Sequence, residues 1–338
     1  MKKQKDHKIW IKLLILLVLS FGMIFIIYKK TDSKNLKQEF LSMNKIYILY
    51  AMIFFILYRL MEAISLHKLF RDMGESVKFR HCANYAILGY FFSQITPTSG
   101  GGQPAQLYFM LRDGIKADKA LSALVPFNIM FHVALLFVGV VSLFGELRSL
   151  VFNGRLLPLY ILGILGQFVM IGFPLLAFKK SELLSRGINF ILSKIKNVKF
   201  LNRFYKEPEY IREHVEGIKK NVGAVVKNKR TFATIFVFQV LMLFFYYSVA
   251  YFTYRAMGFS DYGLISIVMF QCLLIFSTEY IPTPGNAGVA EITMFGIYQK
   301  LVPKEKAVTW MMTNRLLMLY IAIAITLIIL YRRSLVRS

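Results

Sequence analysis

Apolar residues run at spanning length near 9–28, 46–66, 120–144, 157–178, 231–256 and 307–331. A run of about 20 such residues reads as a transmembrane helix. Two further apolar runs, about 82–95 and 263–281, end differently. The first leads into "TPTSGGGQPAQ" at 96–106, and the second into "IPTPGNAGVAE" at 281–291. A moderately apolar stretch follows each break, at 104–111 and 288–299. Pro cannot continue a helix ladder and Gly weakens one. Both places therefore predict a chain that stops at membrane depth and turns back.

Aligning the two breaks pairs Pro97 with Pro282, Thr98 with Thr283, Gly100 with Gly285 and Ala105 with Ala290, at a constant offset of 185 residues. The flanks agree in type, each reading span, hairpin, span. Internal repeats of inverted topology with broken helices are the mark of membrane transport folds.

Charge orients the pattern. Residues 179–230 hold fourteen Lys and Arg, and the tail "RRSLVRS" is also basic. Basic loops stay cytoplasmic. The stretches "HKLFRDMGESVKFR" at 67–80 and "RDGIKADK" at 112–119 are basic too, so 81–111 enters and leaves on the cytoplasmic side. The segment 231–256 ends at "MGFSDYG", which has no Lys or Arg, so 263–301 starts and ends outside. The expectation is an all-α polytopic membrane protein with about six full spans, two opposed re-entrant hairpins and both termini cytoplasmic. Its parts are an N-terminal anchor and loop (1–45), a first membrane repeat (46–178), a basic insert (179–230) and a second repeat (231–338).

Composition narrows the class. The 338 residues are 57% hydrophobic and 18% charged, with a mean hydropathy of +0.53, which excludes an ordinary soluble domain. Net charge is +24, from 42 Lys and Arg against 18 Asp and Glu. In a soluble protein that balance points to nucleic acid. Here it follows from basic cytoplasmic loops, and no nucleic-acid partner is expected. Cys82 and Cys272 both lie in apolar segments and read as buried hydrophobes, without disulfide, metal site or cofactor. In the insert, Ile211, Val215, Ile218, Val222 and Val225 recur at helical spacing, as do Leu184, Ile188, Ile191, Ile195 and Val198. Such helices either lie on the inner leaflet, with Lys194, Lys196 and Lys199 toward anionic lipid, or pack as a linker on the bundle.

Candidate chemistry centres on the breaks. Freed backbone at membrane depth is tolerated only in protein or along a wet cavity. A half-helix starting near Gln103–Pro104 points its N-terminus, with free N–H groups and positive dipole end, into the membrane. Gly100, Gly101 and Gly102 let that backbone approach a ligand, and Gly285, Asn286 and Gly288 repeat the arrangement. Two such ends suit an anionic group; the alternative is a kink with glycines for close packing. Ionisable residues at depth are few: Arg59, Glu62, His132, Glu279, Glu291 and Arg315. Each is a functional hypothesis. Arg315 is expected to pair with Glu279 or Glu291, in a site or as a structural ion pair. Arg59 and Glu62, three apart on one helix face, are expected either to pair with each other or to snorkel. His132 lies one turn from Asn128, to line a cavity or to bond a neighbour. Arg112, after the first hairpin, stands at headgroup height or serves as a topology signal.

The segments "QITPTSGGGQPAQLYFMLRDG" and "EYIPTPGNAGVAEITMFGIY", followed by "TNRLLMLY", resemble the lysylphosphatidylglycerol synthase transmembrane-region family. This is the flippase-like membrane domain of the multiple peptide resistance factor, which also occurs as stand-alone proteins. The resemblance spans roughly 10–330. It implies Thr98, Thr283 and the other Pro-Thr-x-Gly positions, with Glu291 and Arg315, as functional residues. It also implies a lipid substrate, either an aminoacylated phosphatidylglycerol or a polyprenyl-linked glycolipid. The family more often shows Pro-Gly-Gly at both breaks, whereas this chain has Thr-Ser-Gly-Gly and Pro-Gly-Asn. The sequence stops at Ser338, seven residues after the last span, so no aminoacyl-transfer domain is expected. The leading expectation is a lipid translocator of a bacterial inner membrane, without enzymatic activity. The rivals are a phosphatidylglycerol lysyltransferase-type membrane enzyme and a membrane partner of a separate synthase.

Overall fold

The computed structural model describes residues 36–96, 100–146, 148–151, 156–179, 222–223, 228–278, 281, 288–326 and 329. Regular structure among them is helical throughout. In chain order come α1 (Leu36–Ser42), α2 (Lys45–Asp72), α3 (Phe79–Gln94), α4 (Gly102–Arg112), α5 (Ala117–Ser142), the short α6 (Arg148–Val151) and α7 (Leu157–Lys179). They are followed by α8 (Lys229–Ala256), α9 (Leu264–Phe276), α10 (Val289–Tyr298) and α11 (Lys304–Arg315). The last runs on through a π-helical turn, Leu316–Tyr320, to Thr326. The expected anchor at 9–28 lies outside the described residues, as does nearly all of the insert, including Lys194, Lys196 and Lys199.

Five of these helices are long and apolar enough to cross a membrane: Lys45–Asp72, Ala117–Ser142, Leu157–Leu176, Lys229–Ala256 and Lys304–Thr326. The chain is therefore an all-α polytopic membrane protein. The helices α3, α4, α9 and α10 have 16, 11, 13 and 10 residues. At 1.5 Å per residue they reach only about 15–24 Å, short of a roughly 30 Å hydrocarbon core.

The two 28-residue helices α2 and α8 form the central antiparallel pair. At one end the Asn44 N–H donates to Ala256 O at 2.8 Å. At the other, Thr231 Oγ1 donates to an Asp72 carboxylate oxygen at 2.5 Å. Each N-terminus is capped by an asparagine, Asn44 or Asn228, whose side chain accepts from the first helical turn. Rings from both helices interleave between these ends; Phe54 and Phe252 lie 4.5 Å apart.

That pair fixes how the hairpins face. Helix α3 follows the Asp72 end, and α4 folds back along it, with Tyr85 Oη bonded to Asp113 at 2.9 Å at the open end of the hairpin. Helix α9 follows the Ala256 end, and α10 folds back with Tyr298 Oη donating to Gln271 Oε1 at 2.9 Å. The two hairpins thus enter from opposite ends of the bundle, as the inverted pattern requires.

Two main cores form, and both draw on the two halves of the chain: Ile235 joins the first, and Ala134, Leu135 and Tyr160 join the second. Leu66, Phe70, Tyr85, Leu88, Met110 and Leu124 pack together in the first core. Tyr254, Phe270, Tyr298 and Trp310 pack together in the second core. The Trp310 and Tyr298 rings stack at 3.9 Å, and Trp310 Nε1 donates to Ala250 O. Small residues let helices touch where lipid supplies no hydrophobic drive. A Cβ at Gly163 would lie 2.6 Å from Phe276 O, and one at Gly139 would lie 2.8 Å from the Phe276 ring. These contacts seat the end of α9 between α5 and α7.

Candidate functional site

A cavity of about 340 Å³ is lined by described residues of both hairpins and of the long helices. Its polar wall carries Arg59 and Glu62 of α2, Gly102, Gln103 and Gln106 of α4, Asn128 and His132 of α5, and Arg315 of α11. Its apolar wall includes Phe131, Leu135, Ile275 and Met294, together with Met170 of α7. Helix α7 turns most of its apolar surface outward: Phe168, Val169 and Phe173 are each more than half exposed. Met170 itself is 38% exposed.

The described residues on either side of the first break pack tightly. The Gly101 N–H donates to Thr96 Oγ1 at 2.8 Å, and a Cβ at Gly102 would lie 2.9 Å from Gly89 O. Only glycine permits that approach between α3 and α4. Gly100, Gly102 and Gln103 line the cavity, and the Gln103 amide donates to Asn128 Oδ1 on α5. One turn on, Gln106 Nε2 donates to Glu62 Oε1 at 2.5 Å and to Tyr85 O at 3.3 Å. It passes over Gly89, where a Cβ would sit 2.5 Å from that nitrogen. Glu62 in turn holds Arg59 at 2.6 Å. Arg59 Nη1 donates to Ala86 O, and its guanidinium lies 3.6 Å from the Tyr58 ring centroid and 4.6 Å from that of Tyr90.

The start of α10, after the second break, is held differently. Gly288 adopts φ 86°, a left-handed conformation natural to glycine. Its N–H donates to Glu291 Oε2 at 2.6 Å. The other carboxylate oxygen of Glu291 lies 2.9 Å from Arg315 Nε. Glu291 is fully buried, 0% exposed, and stands behind the cavity wall while Arg315 lies on it. The N-terminus of α10 is thus already answered by a carboxylate of its own first turn. The π-helical turn directly after Arg315 lets Met318 O accept from Tyr90 Oη of the first hairpin at 2.7 Å, joining the repeats beside the cavity.

The structure therefore brings Gly100, Gly102, Gln103, His132 and Arg315 to one cavity. Gly101 packs on Thr96 behind it. Gly288 and Glu291 form the capped end of α10. Arg112 ends α4 at the open end of the hairpin, away from the cavity. Thr98, Glu279, Thr283, Gly285 and Asn286 lie outside the described residues. His132 both lines the cavity and bonds a neighbour, its Nδ1 lying 2.6 Å from Gln167 Oε1 on α7. Sequence reasoning passed over Gln106, Tyr58 and Tyr90. It offered pairing or snorkelling for Arg59 and Glu62, which do pair, without placing them at the site. A glutamine one turn after Gln103, on a helix with no water-facing side, was the available signal.

Two short hairpins entering from opposite ends, around a central polar cavity, define an α-helical membrane protein of inverted-repeat design. The sequence matches the family model of the lysylphosphatidylglycerol synthase TM region over residues 9–326, and the chain belongs to that family. It is also similar to a UPF0104 membrane protein of Archaeoglobus fulgidus, 22% identical over 298 residues, covering 85% of this chain and 86% of that protein.

Proposed function

We propose that the protein moves a phosphate-bearing lipid between leaflets, with the headgroup in the central cavity and the acyl chains in the bilayer. The carrying observation is the mixed lining: Arg59, Gln103, Asn128 and Arg315 offer polar contacts beside the apolar Phe131, Leu135 and Met170, and Met170 is 38% exposed. A soluble substrate needs no such apolar lining; a lipid does. The opposed hairpins supply the symmetry from which alternating access is built. The first turn of α4 brings N–H groups and a positive dipole end to the phosphate. By this reading the protein sits in a bacterial cell membrane with basic loops inside. An aminoacylated phosphatidylglycerol or a polyprenyl-linked glycolipid is the substrate that family membership suggests.

Reconstitution into liposomes tests the reading. Fluorescent phospholipids placed in one leaflet are expected to reach the other in the presence of the wild-type protein and not with Arg315→Ala. A folded wild-type protein that accelerates no lipid overturns it.

A further inference from the structure

Glu62 is the carboxylate of the described cavity lining, beside Arg59. Its two oxygens have separate partners. Oε2 lies 2.6 Å from Arg59 Nη1, and Oε1 accepts from Gln106 Nε2 at 2.5 Å. Arg59 does not depend on Glu62 alone. Its Nη1 also donates to Ala86 O at 3.2 Å, and its guanidinium lies against the Tyr58 and Tyr90 rings. Glu291 is engaged differently: fully buried behind the wall, it caps Gly288 with one oxygen and holds Arg315 with the other.

A lipid phosphate that reaches Arg59 arrives beside Glu62 as a second negative charge. A like charge at close range favours the protonated form of a carboxyl. Uptake of one proton from water at Oε2 returns Arg59, Glu62 and the phosphate to neutrality. The contact from Arg59 to Oε2 gives way to one from Arg59 to a phosphate oxygen, and the new O–H of Glu62 can donate to the phosphate. Oε1 keeps Gln106, and Arg59 keeps Ala86 O and the two rings. Both protonation states are thus served by partners already in place. By linkage, a proton on Glu62 strengthens phosphate binding by the same factor that the phosphate strengthens proton binding. We infer that Glu62 is a proton-binding site coupled to the lipid, taking up one proton as an ionised headgroup phosphate enters and releasing it as the phosphate leaves. Lipid and proton then cross in the same direction. The inference rests on the translocation reading and adds the coupled ion to it.

Calorimetry of the detergent-purified full chain with short-chain phosphatidylglycerol tests it, because that lipid has no group titrating between about pH 6 and 8. Binding heats in buffers of different ionisation enthalpy are expected to show about one proton taken up per lipid, and affinity is expected to rise about tenfold per pH unit as pH falls. The other titratable groups of the described lining are Tyr58 and Arg59 on α2, Tyr90 on α3, His132 on α5, Tyr246 and Tyr247 on α8, and Arg315 on α11. Of these only His132 shares the tested range, since tyrosine and arginine ordinarily titrate at about pH 10 or above. Proton uptake is therefore expected to persist in His132→Gln and to vanish in Glu62→Gln. If Glu62→Gln does not fold, the wild type and His132→Gln still decide. Binding by the wild type without proton uptake overturns the inference and leaves the translocation reading standing. Loss of the uptake in His132→Gln, or no binding of phosphatidylglycerol, overturns it as well. Proton-linked binding by a chain that moves no lipid in liposomes sinks the translocation reading and leaves Glu62 as the coupled site.

Discussion

Asn128 and Arg315 are the twelfth residues of α5 and α11, the helices that directly follow the two hairpins. Each holds the first turn of its own hairpin's returning helix. Asn128 accepts from Gln103, and Arg315 pairs with Glu291 at 2.9 Å. The position and task are shared, and the chemistry is not. The first clamp is a neutral amide pair beside an N-terminus that faces the cavity. The second is a buried ion pair whose carboxylate also caps the helix.

That inequality predicts different costs. Arg315→Met leaves Glu291 buried without its cation and is expected to cost about 3–5 kcal/mol. Adding Glu291→Gln removes both charges and should recover part of the loss, because residues in direct contact are not additive. Thermal unfolding of the purified variants reads both values. A double variant less stable than Arg315→Met alone would contradict the pairing.

Gln103→Ala removes a neutral hydrogen bond, so the expected loss is only about 1 kcal/mol. Translocation should fall much further than stability, since Gln103 lines the cavity. Stability lost in proportion to transport would mean that the clamp is structural alone.

The glycines of the first hairpin differ in what a methyl group would meet. At Gly89 it meets the flexible end of Gln106, whereas at Gly102 it meets the backbone oxygen of Gly89 at 2.9 Å. Gly89→Ala should fold with a small drop in melting temperature as Gln106 swings from Glu62. Gly102→Ala must spread α3 from α4 and is expected to cost about 1–3 kcal/mol. The reverse order of melting temperatures would refute this packing.

The opposed hairpins predict opposite labelling. Cys82 and Cys272 are buried, so the native chain offers a low background. Lys116 follows the open end of the first hairpin and Ser260 precedes the second; both are exposed. Lys116→Cys and Ser260→Cys are expected to react with an impermeant thiol reagent from opposite sides of intact vesicles. Labelling of both from one side would rule out the inverted arrangement.

What the sequence determined by itself was the architecture. Spanning runs, their lengths and the two Gly/Pro interruptions follow from the rule that backbone polar groups in hydrocarbon must be satisfied within the segment, and that rule is written locally, residue by residue. The paired breaks and the Lys and Arg asymmetry were legible for the same reason. The pairing of charges was legible only as alternatives. Arg315 had two acidic candidates, and only the fold of α10 against α11 brings Glu291 within reach. The capping of α10 by that same carboxylate was hidden because it depends on the left-handed turn at Gly288. The cavity itself was decided by tertiary structure alone. Arg59, Gln106, Asn128 and Arg315 lie on four different helices, and their meeting is set by how two hairpins pack against the antiparallel pair of α2 and α8, which no local pattern encodes.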